Sequence, residues 1–157
     1  TTTPTTPATA GATVISGTTG HDKLQGTVGD DVMVGGLGAD TLSGGAGRDV
    51  FRYTAVAETD ASRGFDYING FDAPGKAAGD RIDLARIDAD LASAGDQAFR
   101  FAGTGELERG SVRLIDHDWG NHTMVQGLTK DGAYFHLWIN DGADVTAAAY
   151  TAADFLL

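Results

Sequence analysis

The chain has 157 residues, 41% of them hydrophobic, which suits one domain or a repeat module fused to a small β domain. Its 22 acidic and 11 basic residues give a formal charge of −11, which argues against nucleic acid and anionic membranes as partners and suits a bound cation. There is no cysteine for a disulfide and no apolar run of transmembrane length, and a small domain without disulfides commonly takes bound metal as its staple.

The first segment, residues 1–12, reads TTTPTTPATAGA, with threonine and proline dominant and no apolar period. This composition predicts an extended linker and leads us to expect that the chain is the C-terminal piece of a larger protein.

Residues 17–52 contain an internal repeat of nine, GTTGHDKLQ, GTVGDDVMV, GGLGADTLS and GGAGRDVFR. Glycine fills the first and fourth columns, and aspartate fills the sixth as Asp22, Asp31, Asp40 and Asp49. The eighth column is apolar: Leu24, Met33, Leu42 and Phe51. The first six residues of each unit are expected to form a turn with inward carbonyls, its glycines supplying positive φ. The last three form a short strand whose middle side chain points inward. Two units complete one turn of the coil, so the first loop faces the third and the second faces the fourth.

Such loops offer a cation only oxygen. Ca²⁺ accepts six to eight oxygens in loose geometry, whereas Mg²⁺ demands a strict octahedron and Zn²⁺ prefers His or Cys. The repeat places neither His nor Cys in a regular column, since His21 occurs once. Calcium is therefore the expected cofactor, with several ions bound. Without it, stacked carboxylates and a core of one apolar side chain per unit cannot offset a backbone entropy of about 1–2 kcal/mol per residue. The metal-free 17–52 segment is expected to be disordered.

Beyond residue 52 glycine thins and ordinary β pattern follows. Strands are predicted at Gln97–Phe101, Ser111–Ile115, Thr123–Gln126 and Tyr134–Ile139, with turns such as Asp118–Asn121 and Asp131-Gly132 between them. Helical stretches are predicted near Ile87–Ala94 and Ala147–Leu156.

The nonapeptides resemble those of the RTX family of type I secreted proteins, which includes serralysin-type proteases, lipases, cytolysins and the R-modules of mannuronan C5-epimerases. The stretch Phe65–Asp72, followed by Gly79–Leu84, is similar to the region after the roll in serralysins, departing from it at Gly70 and by extra residues around Ala73–Ala78. The resemblance implies an all-β fold, a right-handed parallel β-roll at 13–60 followed by a β-rich C-terminal cap at 61–157. It implies one ion held by Thr18, Gly20 and Asp22 with Gly35, Leu37 and Asp40, and a second held by Thr27, Gly29 and Asp31 with Gly44, Ala46 and Asp49. The outer faces of the third and fourth loops add Gly36, Gly38 and Asp40, and Gly45, Gly47 and Asp49. Continuing the register sets Tyr53, Ala55 and Glu58 opposite the third loop and Asp66 opposite the fourth.

The last residues, Asp154-Phe155-Leu156-Leu157, resemble the uncleaved signal read by type I exporters, and a helix end packed on the core is compatible with that role. Secretion to the extracellular space and the type I machinery as partner follow from the resemblance. No His-Glu-x-x-His, Gly-x-Ser-x-Gly or phosphate-binding glycine loop is present, so the module is expected to be non-catalytic. His117 and His122, beside Asp116, Asp118 and Trp119, read as a polar turn between strands. The rival reading is a polysaccharide-binding accessory module using Trp119, Tyr134, Phe135 and Trp138, although Trp138 alternates with His136 and Tyr134 on what could equally be a core face. An adhesin cap is a third reading.

Overall fold

Three-residue strands recur at the end of every nonapeptide because the eighth-column side chain needs a pleat that turns it inward. They are β2 (Lys23–Gln25), β3 (Val32–Val34), β4 (Thr41–Ser43) and β5 (Val50–Arg52), preceded by β1 (Val14–Ser16). The structure is a computed structural model that describes residues 12–59, 64–72, 74–76, 78–117, 121–142 and 144–157. The expected linker up to residue 11, the boundary expected at residue 60, and Ala73, Ala77, Asp118 and Trp119 lie outside the described residues.

Strands two units apart pair in parallel. Leu24 sits opposite Leu42 and Met33 opposite Phe51, and all four side chains are buried. Odd strands form one sheet and even strands the other, so the coil has the flattened section of a parallel β-roll. The coil continues past the fourth repeat: β6 (Tyr67–Asn69) pairs with β4, and β7 (Arg81–Asp83) pairs with β5. Ile68 and Ile82 take the inward place of the eighth column and are fully buried.

The rest of the chain extends the same two sheets. In order, β8 (Arg100–Phe101), β9 (Ser111–Asp116), β10 (His122–Leu128) and β11 (Tyr134–Asn140) follow, with β9, β10 and β11 antiparallel. β11 joins β6 in parallel, giving a seven-stranded sheet in the order β2-β4-β6-β11-β10-β9-β8. The final strand, β12 (Phe155–Leu156), joins β7 and completes a five-stranded sheet, β1-β3-β5-β7-β12. A single apolar core runs from Leu24 in the roll to Leu137 in the cap.

The four strands predicted beyond the roll are present, the first of them only from Arg100. Neither predicted helix is present. Around Ile87–Ala94 the chain makes turns, because the Asp88 carboxylate accepts the Asp90 and Gln97 amides and the Asp90 carboxylate accepts that of Ala92. Such local bonds compete with helix formation. Residues 147–156 form two short 3-10 turns, Ala147–Ala149 and Ala152–Asp154, and then β12. Among the described residues no helix is long and apolar enough to cross a membrane.

Candidate calcium sites

The sixth-column aspartates are tied into two ladders by one recurring bond, in which the amide of one aspartate donates to the carboxylate below it. Asp22 donates to Asp40 Oδ1 at 2.9 Å, and Asp40 in turn donates to Asp66 Oδ1 at 2.8 Å. In the second ladder Thr13 donates to Asp31 at 3.0 Å, Asp31 to Asp49 at 2.9 Å and Asp49 to Asp80 at 2.8 Å. Asp31, Asp40, Asp49, Asp66 and Asp80 are all at most 1% exposed.

The ladder corrects one expectation. Asp66 stands opposite the third loop, not the fourth, and Asp80 takes the place opposite the fourth. Uninterrupted repeats would put successive partners 18 residues apart, but these two pairs are 26 and 31 apart. The loop after β5 is lengthened, so Glu58 and Asp66 belong to the same loop and both serve the third rung. Sequence reasoning missed Asp80 as a ladder residue. The signal was available, since Asp66-x-Ile68 and Asp80-x-Ile82 preserve the sixth and eighth columns, as do Thr13 and Ile15 ahead of the first repeat, apart from the threonine.

The loops differ in how they treat their own carboxylates. In the first two, the second residue is threonine, and Thr18 donates its amide to Asp22 Oδ2 at 2.6 Å and its hydroxyl at 2.8 Å. Thr27 does the same for Asp31, at 2.6 and 2.9 Å. Thr54 repeats the arrangement with Glu58. In the third and fourth loops the second residue is Gly36 or Gly45, with φ of +95° and +105°, a conformation glycine adopts without strain. Neither glycine donates to the carboxylate of its own loop, and Asp40 Oδ2 and Asp49 Oδ2 are buried without any hydrogen-bond partner. Asp66 Oδ2 is in the same condition, close to the buried Tyr53 hydroxyl.

Burial pushes Asp40 and Asp49 above the usual carboxylate range, and the neighbouring carboxylates add to the effect. Asp66 is raised to about 7 and Asp80 to about 6, in both cases chiefly by desolvation. Tyr53 is raised as well, by burial and then by the charge of Asp66.

These oxygens fit a calcium ion. A buried carboxylate oxygen without a donor is costly, and a cation removes the cost. Backbone oxygens line the same gaps. A β-carbon added at Gly36 would stand 2.1 Å from the Thr18 carbonyl oxygen, one at Gly38 2.5 Å from that of Gly20, and one at Gly17 2.2 Å from that of Gly35. In the gap between the second and fourth loops, a β-carbon at Gly45 would meet Thr27 O at 2.1 Å, one at Gly47 Gly29 O at 2.7 Å, and one at Gly26 Gly44 O at 1.8 Å. Leu37 and Ala46 reach across these gaps by donating their amides to Thr18 and Thr27. Among the described residues no three acidic or imidazole side chains converge on one metal position. An ion held here would draw on backbone carbonyls with one carboxylate from each loop, a donor set that suits Ca²⁺ and not Zn²⁺.

The aromatic candidates divide. Phe135 is fully buried in the core with Leu137 and Ile139. Tyr134, His136 and Trp138 lie on the opposite face of β11, outside the main apolar cluster. Trp138 is nevertheless only 9% exposed, its ring edge-on to His117 at 5.0 Å.

Residues 8–52 match the family model of the RTX calcium-binding nonapeptide repeat in four copies. No curated protein matched the chain. Among solved structures, the chain is similar to the AlgE6R2 subunit of the Azotobacter vinelandii mannuronan C5-epimerase, at 28% identity and a TM-score of 0.62, over 94% of this chain and 88% of that one. The AlgE6R3 subunit of the same enzyme shares the fold at 24% identity and a TM-score of 0.56, over 98% of this chain and 81% of that one. The repeat segment is therefore an array of RTX calcium-binding nonapeptides, set in a chain with the β-roll fold of the epimerase R-modules.

Proposed function

We propose that this chain is an accessory module that folds when calcium fills the gaps between its stacked loops, and that it stabilises a larger extracellular protein after export. The observation that carries this reading is the group of buried carboxylate oxygens without partners in the stacked loops, on Asp40, Asp49 and Asp66. A fold that isolates such oxygens is unfavourable until a cation reaches them. Extracellular modules bind Ca²⁺ with dissociation constants of roughly 10⁻⁴–10⁻³ M. That range leaves the chain unfolded in a calcium-poor cytosol and folded outside.

Export by a type I machine accords with the RTX-type repeats and with the acidic-apolar segment Asp154–Leu157. In the folded state this segment is put to structural use, since Asp154 is buried and Phe155–Leu156 pair with β7. The two roles are separated in time when the chain is exported unfolded. A non-catalytic role accords with the lack of a hydrolase or metalloprotease motif in the sequence. The test is far-UV circular dichroism during a calcium titration of the chelated chain. The expected result is a cooperative gain of β signal, with no comparable response to Mg²⁺. A β signal unchanged by exhaustive chelation rejects calcium-driven folding.

A further inference from the structure

Among the described residues, buried carboxylate oxygens without a partner occur on Asp40, Asp49 and Asp66 in the roll, and also on Asp141 in the cap. We infer that Asp116, Thr123 and Asp141 hold a calcium ion of their own at the end of the cap sheet. No repeat residue takes part, so this site can fail while calcium-driven folding of the roll holds.

Strand register brings these residues together. Thr123 on β10 pairs with Asp116 on β9 to one side and with Ile139 on β11 to the other. Asp141 comes two residues after Ile139, just past the end of β11, and strand alternation returns it to the side that Thr123 faces. Thr123 is fully buried, whereas Asp116 at the end of β9 is exposed. The site is therefore a slot, closed at Thr123 and open to water at Asp116.

One oxygen of each carboxylate is already committed. Asp141 Oδ2 accepts the Tyr150 hydroxyl at 2.5 Å, and Asp116 Oδ1 accepts the Ala147 amide. These bonds hold both side chains in place and leave Asp116 Oδ2 and Asp141 Oδ1 for a ligand. Asp141 Oδ1 and Thr123 Oγ1 are both buried without a partner. Thr123 lies close enough to steady the Asp141 charge, yet no hydrogen bond joins these two oxygens. Oxygens that share a cation at about 2.3–2.6 Å stand further apart than hydrogen-bonded ones. A buried hydroxyl and a buried carboxylate oxygen are both costly until something fills the gap.

Charge points the same way. Burial pushes the Asp141 carboxyl above its usual range and Asp116 adds to the effect, against the opposing bonds of Tyr150 and Thr123. None of these influences is a cationic side chain. All the donors are oxygen and the open side admits water, which suits the loose shell of six to eight oxygens around Ca²⁺. Two carboxylates and a hydroxyl make a small donor set, so the affinity should fall in the weak range of roughly 10⁻⁴–10⁻³ M. The ion ties the end of the sheet to the turn at Ala147–Ala149 and to Tyr150. Tyr150 packs on Phe71, and Phe71 on Phe51 of the fourth repeat. One rise in calcium thus tightens the cap and folds the roll.

Equilibrium dialysis with metal analysis tests this by counting bound calcium at about 10 mM free ion, above that range. Asp141→Asn keeps an acceptor for Tyr150. It should bind one ion fewer than the parent, while the calcium midpoint of the roll's circular dichroism stays at the parental value. Asp66→Asn is the contrast, since it should lose calcium and shift that midpoint. Thr123→Val removes only the hydroxyl. If an ion is bound there, the variant should melt below the parent in saturating calcium. With no ion, losing a buried unbonded hydroxyl leaves the melting temperature unchanged or raises it. A parental ion count in Asp141→Asn overturns the site, and so does Thr123→Val melting at or above the parent. An ion lost together with a midpoint shifted like that of Asp66→Asn assigns the loss to the roll and also overturns it. Should Asp141→Asn fail to fold, Thr123→Val alone decides.

Discussion

The Asp40 amide donates to the Asp66 carboxylate at 2.8 Å, repeating across an irregular loop the bond that Asp22 makes to Asp40 across a regular one. The repeat sequence stops at residue 52, but the ladder does not, and its last acids are the most strongly perturbed. Asp66→Asn keeps an acceptor for the Asp40 amide and removes the unpartnered charge. It should lower the calcium stoichiometry measured by isothermal titration calorimetry while raising residual β signal in the metal-free chain. Asp40→Ala removes the acceptor for Asp22 and a carboxylate between two gaps, so it should rank among the most damaging single changes. Full calcium stoichiometry in Asp40→Ala would refute the stacking register.

Acid should partly replace calcium. Asp66 at about 7 and Asp80 at about 6 hold protons more tightly in the fold than in the open chain, where carboxylates sit near 4. Between about pH 4 and 7 the metal-free folded state therefore binds more protons than the unfolded state, and its stability falls as pH rises. The metal-free chain should gain β signal on acidification through this window. Protons compete with the ion, so the calcium midpoint should shift to higher concentration over the same range. A midpoint independent of pH between 7.5 and 5.5 would show that these carboxylates do not face the ion.

The cap has its own weak point, independent of metal. A β-carbon at Gly127 would lie 2.0 Å from the tip of the fully buried Phe135 ring, so β10 accommodates that ring only because residue 127 has no side chain. Gly127→Ala should destabilise the calcium-loaded chain by about 1–3 kcal/mol, the usual cost of overpacking. The melting temperature should fall while calcium stoichiometry stays at the parental value. A parental melting temperature would mean that the ring relocates without cost.

The roll was legible in the sequence because four columns repeat without interruption, so loop, strand and stacking period all follow from one unit of nine. Asp66 was assigned to the wrong rung because loop length is variable once the glycines are gone. Only the pairing of β6 with β4 shows that the chain spends fourteen residues, 53–66, on one loop. The difference between Thr18 and Gly36 at the second position was visible as letters. Its consequence, a satisfied carboxylate in one loop and an unpartnered one in the next, depends on which way an amide points. The helices predicted near Ile87 and Ala147 failed because Asp88, Asp90 and Asp154 hold turns through local bonds that apolar spacing does not encode.

The end of the chain should prove to be a latch on the roll. The Asp154 carboxylate is fully buried and accepts the Thr151 amide at 2.7 Å and the Gly75 amide at 2.8 and 2.9 Å. It thereby ties the last 3-10 turn to the segment between Asp72, which donates to Asp80, and β7. β12 then pairs with β7, and Phe155 packs on Phe101 with ring centroids 5.2 Å apart. Asp154→Ala leaves those amides without their acceptor, a loss of about 1–3 kcal/mol concentrated at the edge of the five-stranded sheet. Carboxypeptidase should release Leu157 and Leu156 from calcium-loaded Asp154→Ala faster than from the parent, and Asp154→Asn should fall between them. Equal release rates for all three proteins would mean that β12 is held by its strand pairing and Phe155 alone.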